Sequence, residues 1–150
     1  FGRSNTIPFV RSFFAGGTND IRAWNPYTLG PGTSNQINEF NDANLKLTLS
    51  GEWRFPLSRS LYGALFTDIG NIWNALDGSE NEAALFYGWK SLKDSAIASG
   101  FGLRYDFDYF IFRLDLAWKV HNPALNGSER WIFNRPQNNA LFNIGINYPF

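Results

Sequence analysis

The sequence predicts an all-β chain of long antiparallel strands, and three observations carry that reading. Apolar and polar residues alternate strictly over several stretches, the period of a strand with one apolar face. These stretches run about ten residues, whereas soluble strands average about five or six and a tilted strand crossing a bilayer needs about nine to eleven. Trp, Tyr and Phe gather near their ends (Trp53, Phe55, Trp118, Tyr148, Phe150), as in the interfacial girdles of membrane barrels. A soluble sandwich or lipocalin-like barrel would share the alternation and turn its polar face to solvent. Length and aromatic ends favour a transmembrane β-barrel.

The elements follow in order. A short strand is expected around 9–15. Over 45–55, Leu45, Leu47, Leu49, Trp53 and Phe55 alternate with Lys46, Thr48, Ser50, Glu52 and Arg54, so one face is apolar and the other polar or charged. Over 61–73 the pattern is weaker, with Leu61, Leu65 and Ile69 opposite Tyr62, Phe66 and Asp68. Over 97–107, Ile97, Phe101, Leu103, Tyr105 and Phe107 oppose Ala98, Gly100, Gly102, Arg104 and Asp106. The 110–120 stretch sets Phe110, Phe112, Leu114, Leu116 and Trp118 against Arg113, Asp115, Ala117 and Lys119. The last strand, 141–150, sets Phe142, Ile144, Ile146, Tyr148 and Phe150 against Asn143, Gly145 and Asn147. Connections 56–60 and 108–109 are short. Those at 16–44, 74–95 and 121–139 are long and rich in Gly, Asn, Asp, Ser and Pro, matching a barrel with short turns at one end and long loops at the other. Within the second long loop, 83–92 reads either as a short helix or as an extra strand.

Composition excludes several classes. The 150 residues carry 13 Lys+Arg and 13 Asp+Glu, with one His and no Cys. A neutral chain lacks the basic footprint of a nucleic-acid binder, and without Cys there is no disulfide framework, thiol nucleophile or Cys-based metal site. Aromatics make up 18% of the chain, yet the mean hydropathy is −0.27. One apolar face toward lipid and one charged face toward a lumen reconcile the two figures. No apolar run approaches the ~18–20 residues of a membrane helix. There is no internal repeat and no linker, so residues 1–150 read as part of one barrel domain. About six strands cannot close a barrel, because bacterial outer-membrane barrels start at about eight and open edges in lipid leave backbone groups unpaired. The chain is therefore expected to be the C-terminal part of a longer polypeptide, completed by the remainder of the same barrel.

The segment Phe13-Phe14-Ala15-Gly16-Gly17-Thr18-Asn19-Asp20-Ile21-Arg22-Ala23-Trp24, followed by Leu29-Gly30-Pro31-Gly32, resembles the inward-folding sixth external loop of the Omp85 superfamily, the outer-membrane assembly and translocation barrels of BamA and TamA type. The family loop carries a Gly-Gly pair (here Gly16 and Gly17) and a Val/Ile-Arg-Gly-aromatic tip, here Ile21, Arg22, Ala23 and Trp24, with Ala in place of Gly. Phe66-Thr67-Asp68-Ile69-Gly70-Asn71-Ile72-Trp73 is similar to the family's Phe-x-Asp-x-Gly-x-x-Trp strand. Gly100-x-Gly-Leu-Arg-Tyr-Asp106 and Arg113-Leu-Asp-Leu-Ala117 extend the resemblance, which looks most like the TamA-like branch of Bacteroidetes-type bacteria. Asn143, Gly145, Tyr148 and Phe150 resemble the C-terminal strand signal of outer-membrane proteins, while Pro149 cannot donate a ladder hydrogen bond.

The resemblance implies a barrel of about sixteen strands, integral in the bacterial outer membrane with its C-terminus on the periplasmic side. It implies that Arg22 reaches into the lumen and pairs with Glu52 and Asp68, locking the loop 16–44 inside. Alternation independently puts Glu52 on the charged face. The implied activity is assembly or translocation of client outer-membrane or secreted proteins through a lateral seam, without enzymatic chemistry, catalytic residues, metal or cofactor. Implied partners are outer-membrane lipid or lipopolysaccharide, the clients and accessory envelope subunits, with no nucleic acid. The competing reading is a passive outer-membrane channel or a barrel-borne surface enzyme.

Other features carry blander readings. His121 opens a loop without an obvious partner and is expected to be solvated. Asp106 and Asp115 are expected to form structural ion pairs with Arg104 and Arg113. Gly16-Gly17 lacks the Lys-Ser/Thr of a phosphate loop. Asn126-Gly127-Ser128 matches a glycosylation acceptor but is sufficient as a turn.

Overall fold

In a computed structural model, residues 11–35, 41–75, 81–132 and 139–147 are described. Five strands follow one another, β1 (Leu45–Pro56), β2 (Leu61–Trp73), β3 (Ala96–Asp106), β4 (Ile111–His121) and β5 (Ala140–Asn147). Each pairs antiparallel with its neighbours in one five-stranded sheet of order β1-β2-β3-β4-β5. The chain is all-β, a meander that forms part of a β-barrel. Of the strand expected at 9–15, residues 9 and 10 lie outside the described residues, and over 11–15 the backbone makes one isolated bridge, Phe13 to Ala43. Tyr148 and Phe150 also lie outside them.

The two short connections are tight because their turns close on the backbone. Leu57 and Ser58 N–H both donate to the Leu61 carbonyl, at 2.9 and 3.0 Å. Between β3 and β4, Phe107 N–H donates to Phe110 O at 3.0 Å. Asp108 takes a left-handed φ of 68° there, and its N–H is capped by the Asp106 carboxylate at 2.9 Å. The tolerance of Asp for this conformation explains the turn. Asp106 thus serves the turn, while Asp115 alone of the two joins the ion pairs described below. The stretch 83–92, which reads in sequence either as a short helix or as an extra strand, holds 3-10 turns over Glu82–Ala84 and Gly88–Asp94. A third 3-10 turn covers Gly127–Arg130.

The sheet has two unlike faces. Large apolar side chains stand exposed on one, with Leu49 at 70% and Trp53, Leu65, Phe101, Leu103, Phe142, Ile144 and Ile146 alongside. The other face carries small residues, Ala96, Ala98 and Ala117, together with Phe66 and Ile72. Onto these pack Ile21, Ala23, Trp24 and Leu29 of the described loop residues 16–35, forming one buried cluster. The core of the chain is therefore the loop seated on the inner face, and the small inner side chains leave room for it.

At the long-loop end the connections are stitched together. The Asn71 amide donates to Gly32 O at 2.8 Å and to Asp94 O at 2.7 Å, and Arg130 pairs with Asp94 at 2.7 Å. His121, expected to be solvated, is instead 5% exposed. It closes β4, with Nδ1 2.8 Å from Ser95 O and its ring 4.8 Å from that of Trp131. The loop segment carrying Trp131 bridges back to His121, which local polarity does not reveal.

Candidate functional site

Local turns present the loop tip. Gly16 and Gly17 adopt φ of 98° and 109°, conformations open to glycine. A Cβ on Gly16 would stand 2.3 Å from Asn25 O, so the chain can double back only with glycine there. Gly17 N–H donates to Trp24 O at 2.7 Å and Trp24 N–H to Ile21 O at 3.1 Å, closing a compact tip around Arg22. The Asp20 carboxylate accepts from Gly16 N–H at 2.8 Å and from Lys46 Nζ at 2.9 Å, which anchors the base of this tip to β1.

Arg22 projects onto the inner face. Its Nε donates to Asp68 Oδ2 at 2.8 Å and its Nη2 to Asp68 Oδ1 at 2.9 Å, a bidentate fork matched to the carboxylate. Its own N–H adds a third contact to Asp68 Oδ2 at 3.2 Å. Nη1 donates to Glu52 Oε2 at 2.9 Å and lies 3.8 Å from Asp115 Oδ2. The guanidinium rests over the Phe66 ring, 3.5 Å from its centroid, a cation–π contact. Burial works against the Arg22 charge, but the hydrogen bonds to Asp68 and Glu52 and the charge of Asp115 outweigh it and raise its pKa.

A second tier surrounds this contact. Arg104 reaches Glu52 Oε2 at 2.7 Å and Asp115 Oδ1 at 2.6 Å, and Arg54 reaches Glu52 Oε1 at 2.7 Å. Arg113 lies 3.4 Å from Asp115 Oδ2 and donates to Thr18 O and Asn19 Oδ1. Asp68 and Asp115 are 1% and 0% exposed. Buried carboxylates need an opposite charge beside them, and Asp68 and Asp115 each face at least one guanidinium, as does the wetter Glu52. That arrangement holds groups in place. A polar cavity of about 220 Å³ beside the cluster is lined by Thr18, Asp20, Glu52, Arg54, Asp68 and Arg113 among others. No group of three His, Cys, Asp or Glu side chains able to hold a metal ion occurs among the described residues.

Strand parity puts Glu52 and Asp68 on one face, and the structure brings both to Arg22. Ile21 and Trp24 are buried beside it, with Lys119 Nζ 5.1 Å from the Trp24 ring. Three participants escaped sequence reasoning in this role: Asp115 as a third carboxylate near Arg22, Phe66 as the ring beneath it, and Asn143. The Asn143 amide donates to Arg22 O at 2.8 Å. All three sit on the inward parity, the signal that could have found them.

The family described as the Omp85 superfamily domain matches residues 1–145. The outer membrane protein assembly factor BamA of Neisseria meningitidis serogroup B is 30% identical over 91 residues, covering 56% of this chain. The chain spans 11% of that relative's length. The family match takes in the Gly16-Gly17 loop, Arg22 and its carboxylate partners, and β5 as far as Gly145, and the chain accordingly belongs to the Omp85 superfamily.

Proposed function

We propose that this chain is the C-terminal part of a barrel of about sixteen strands in the bacterial outer membrane, with its C-terminus periplasmic, and that the complete protein assembles or translocates client proteins. In this reading the apolar outer face meets lipid, client strands add along a lateral seam by β-augmentation, and the chemistry is non-enzymatic. Accessory envelope subunits would act with it. That the meningococcal relative is an outer membrane protein assembly factor supports this reading.

The carrying observation is the seat of Arg22. Two carboxylates on neighbouring strands, Glu52 of β1 and Asp68 of β2, receive one guanidinium from the loop, and so tie the loop to the inner wall. A loop packed there obstructs a lumen, which disfavours a passive channel. The lock is tested by Arg22→Glu in the full-length protein. The carboxylate would repel Glu52 and Asp68 and expel the tip, so client assembly in reconstituted vesicles should fail while membrane insertion stays measurable. Full assembly activity in that variant would sink the lock. A large steady conductance in the unmodified barrel would favour the channel instead.

A further inference from the structure

Asn143 and Gly145 resemble part of a terminal strand signal, yet their side of β5 faces the loop. Asn143 stands opposite Asp115 and Gly145 opposite Arg113 in the β4–β5 register. Asn143 is 7% exposed, and its amide gives a hydrogen bond to the carbonyl of Arg22 at 2.8 Å. The side chain of Arg22 is engaged by β1 and β2, so its carbonyl is the group left for β5 to grip.

Gly145 contributes by what it lacks. A Cβ there would stand 2.8 Å from Arg113 Nε and 3.1 Å from Nη2, so any side chain would push the guanidinium away. With glycine, Arg113 lies across β5 and reaches Thr18 O and Asn19 Oδ1. Successive inward positions of β5 therefore supply a donor to the loop tip and clearance for a second grip on the loop.

We propose that Asn143 and Gly145 are positioning residues that seat the loop on β5, so that the seating of the loop and the position of this strand depend on one another. This inference rests on the lock reading above. Hydrogen bonds weaken steeply with misalignment, and displacement of β5 therefore breaks the Asn143 contact while the Arg22 side chain remains held by β1 and β2. Coupling is reciprocal. Seating the loop holds β5 in place, and moving β5 loosens the loop on one side.

The test uses the full-length protein with any native cysteine replaced and Ala23→Cys as reporter, a position 2% exposed next to Arg22. Labelling by a membrane-impermeant maleimide is timed on the folded, heat-modifiable fraction alone. Asn143→Thr keeps a polar residue but is too short to reach the carbonyl. It should speed labelling roughly tenfold, the worth of one buried hydrogen bond. Arg113→Met lies outside the terminal pattern and should also speed it. A terminal signal without a seating role predicts lower folded yield with unchanged labelling, which overturns the proposal. Arg22→Ala is the reference. If it speeds labelling while Asn143→Thr and Arg113→Met do not, the lock stands and the coupling fails. If Arg22→Ala changes nothing, the lock reading fails and the coupling with it.

Discussion

On the inner face of the sheet, Glu52 and Asp68 hold Arg22 at hydrogen-bonding distances, and Arg104 ties Glu52 to Asp115 beside it. One residue along the same strands, Leu49, Trp53, Phe101 and Phe142 stand exposed on the outer face with no partner element among the described residues. The backbone is shared, so parity alone separates the two environments. The inner face spends its polarity on holding a loop, and the outer face presents a continuous apolar surface. A sheet in water would reverse the accounting, hiding its large apolar side chains and exposing its charges. The contrast teaches that this sheet is built for a polar interior and an apolar surrounding.

The largest way to break the contrast is to unpair the inner charge. Asp68→Ala leaves the Arg22 guanidinium buried without its bidentate partner, and breaking a buried pair in this manner costs about 3–5 kcal/mol. Denaturant unfolding of the purified full-length barrel in detergent should show a midpoint lowered accordingly. An unchanged midpoint would mean that the loop is not held through Arg22.

A paired substitution at adjacent residues sharpens it. Leu49→Arg places a charge on the outer face and should cost about 2–4 kcal/mol if that position lies near the bilayer midplane. Ser50→Arg, one residue on and facing the polar cavity, should stay within about 1 kcal/mol. Equilibrium folding into lipid vesicles under urea measures both, and equal costs would remove the distinction between faces.

The smallest expected effect concerns the base of the loop tip. Lys46 and Asp20 pair at 2.9 Å with side chains 24% and 14% exposed, far wetter than Arg22 and Asp68. Lys46→Met should cost about 0.5–1 kcal/mol, shrinking further in 1 M salt, where the screening length is about 3 Å. The Asp68→Ala cost should persist in the same salt. A large, salt-insensitive loss at Lys46 would move the anchor of the loop from Arg22 to Asp20.

Much of the fold was legible in sequence because a membrane-type strand writes its two environments onto alternate residues. The stretches expected at 45–55, 61–73, 97–107 and 110–120 correspond within a residue at either end to β1, β2, β3 and β4. The loops were not legible in the same way. The 83–92 stretch became 3-10 turns because its apolar residues follow neither strand nor helix period. His121 is buried by Ser95 and Trp131, partners far away or across a loop. Asp106 and Asp115 each stand between two large apolar or aromatic residues in sequence, but one caps a turn and the other joins the charge cluster.

By itself the sequence determined the strand periodicity, the choice of face for each charge, and the presence of an Arg-bearing, glycine-hinged loop. These are local properties, set by alternation and by the conformations glycine allows. Only the tertiary structure decided which inward charges meet. It placed Asp115 and Phe66 against Arg22, and gave the Arg22 carbonyl to Asn143 across 121 residues. Those meetings depend on register and on how strands stand side by side, and a one-residue change of register would turn every one of these side chains to the other face.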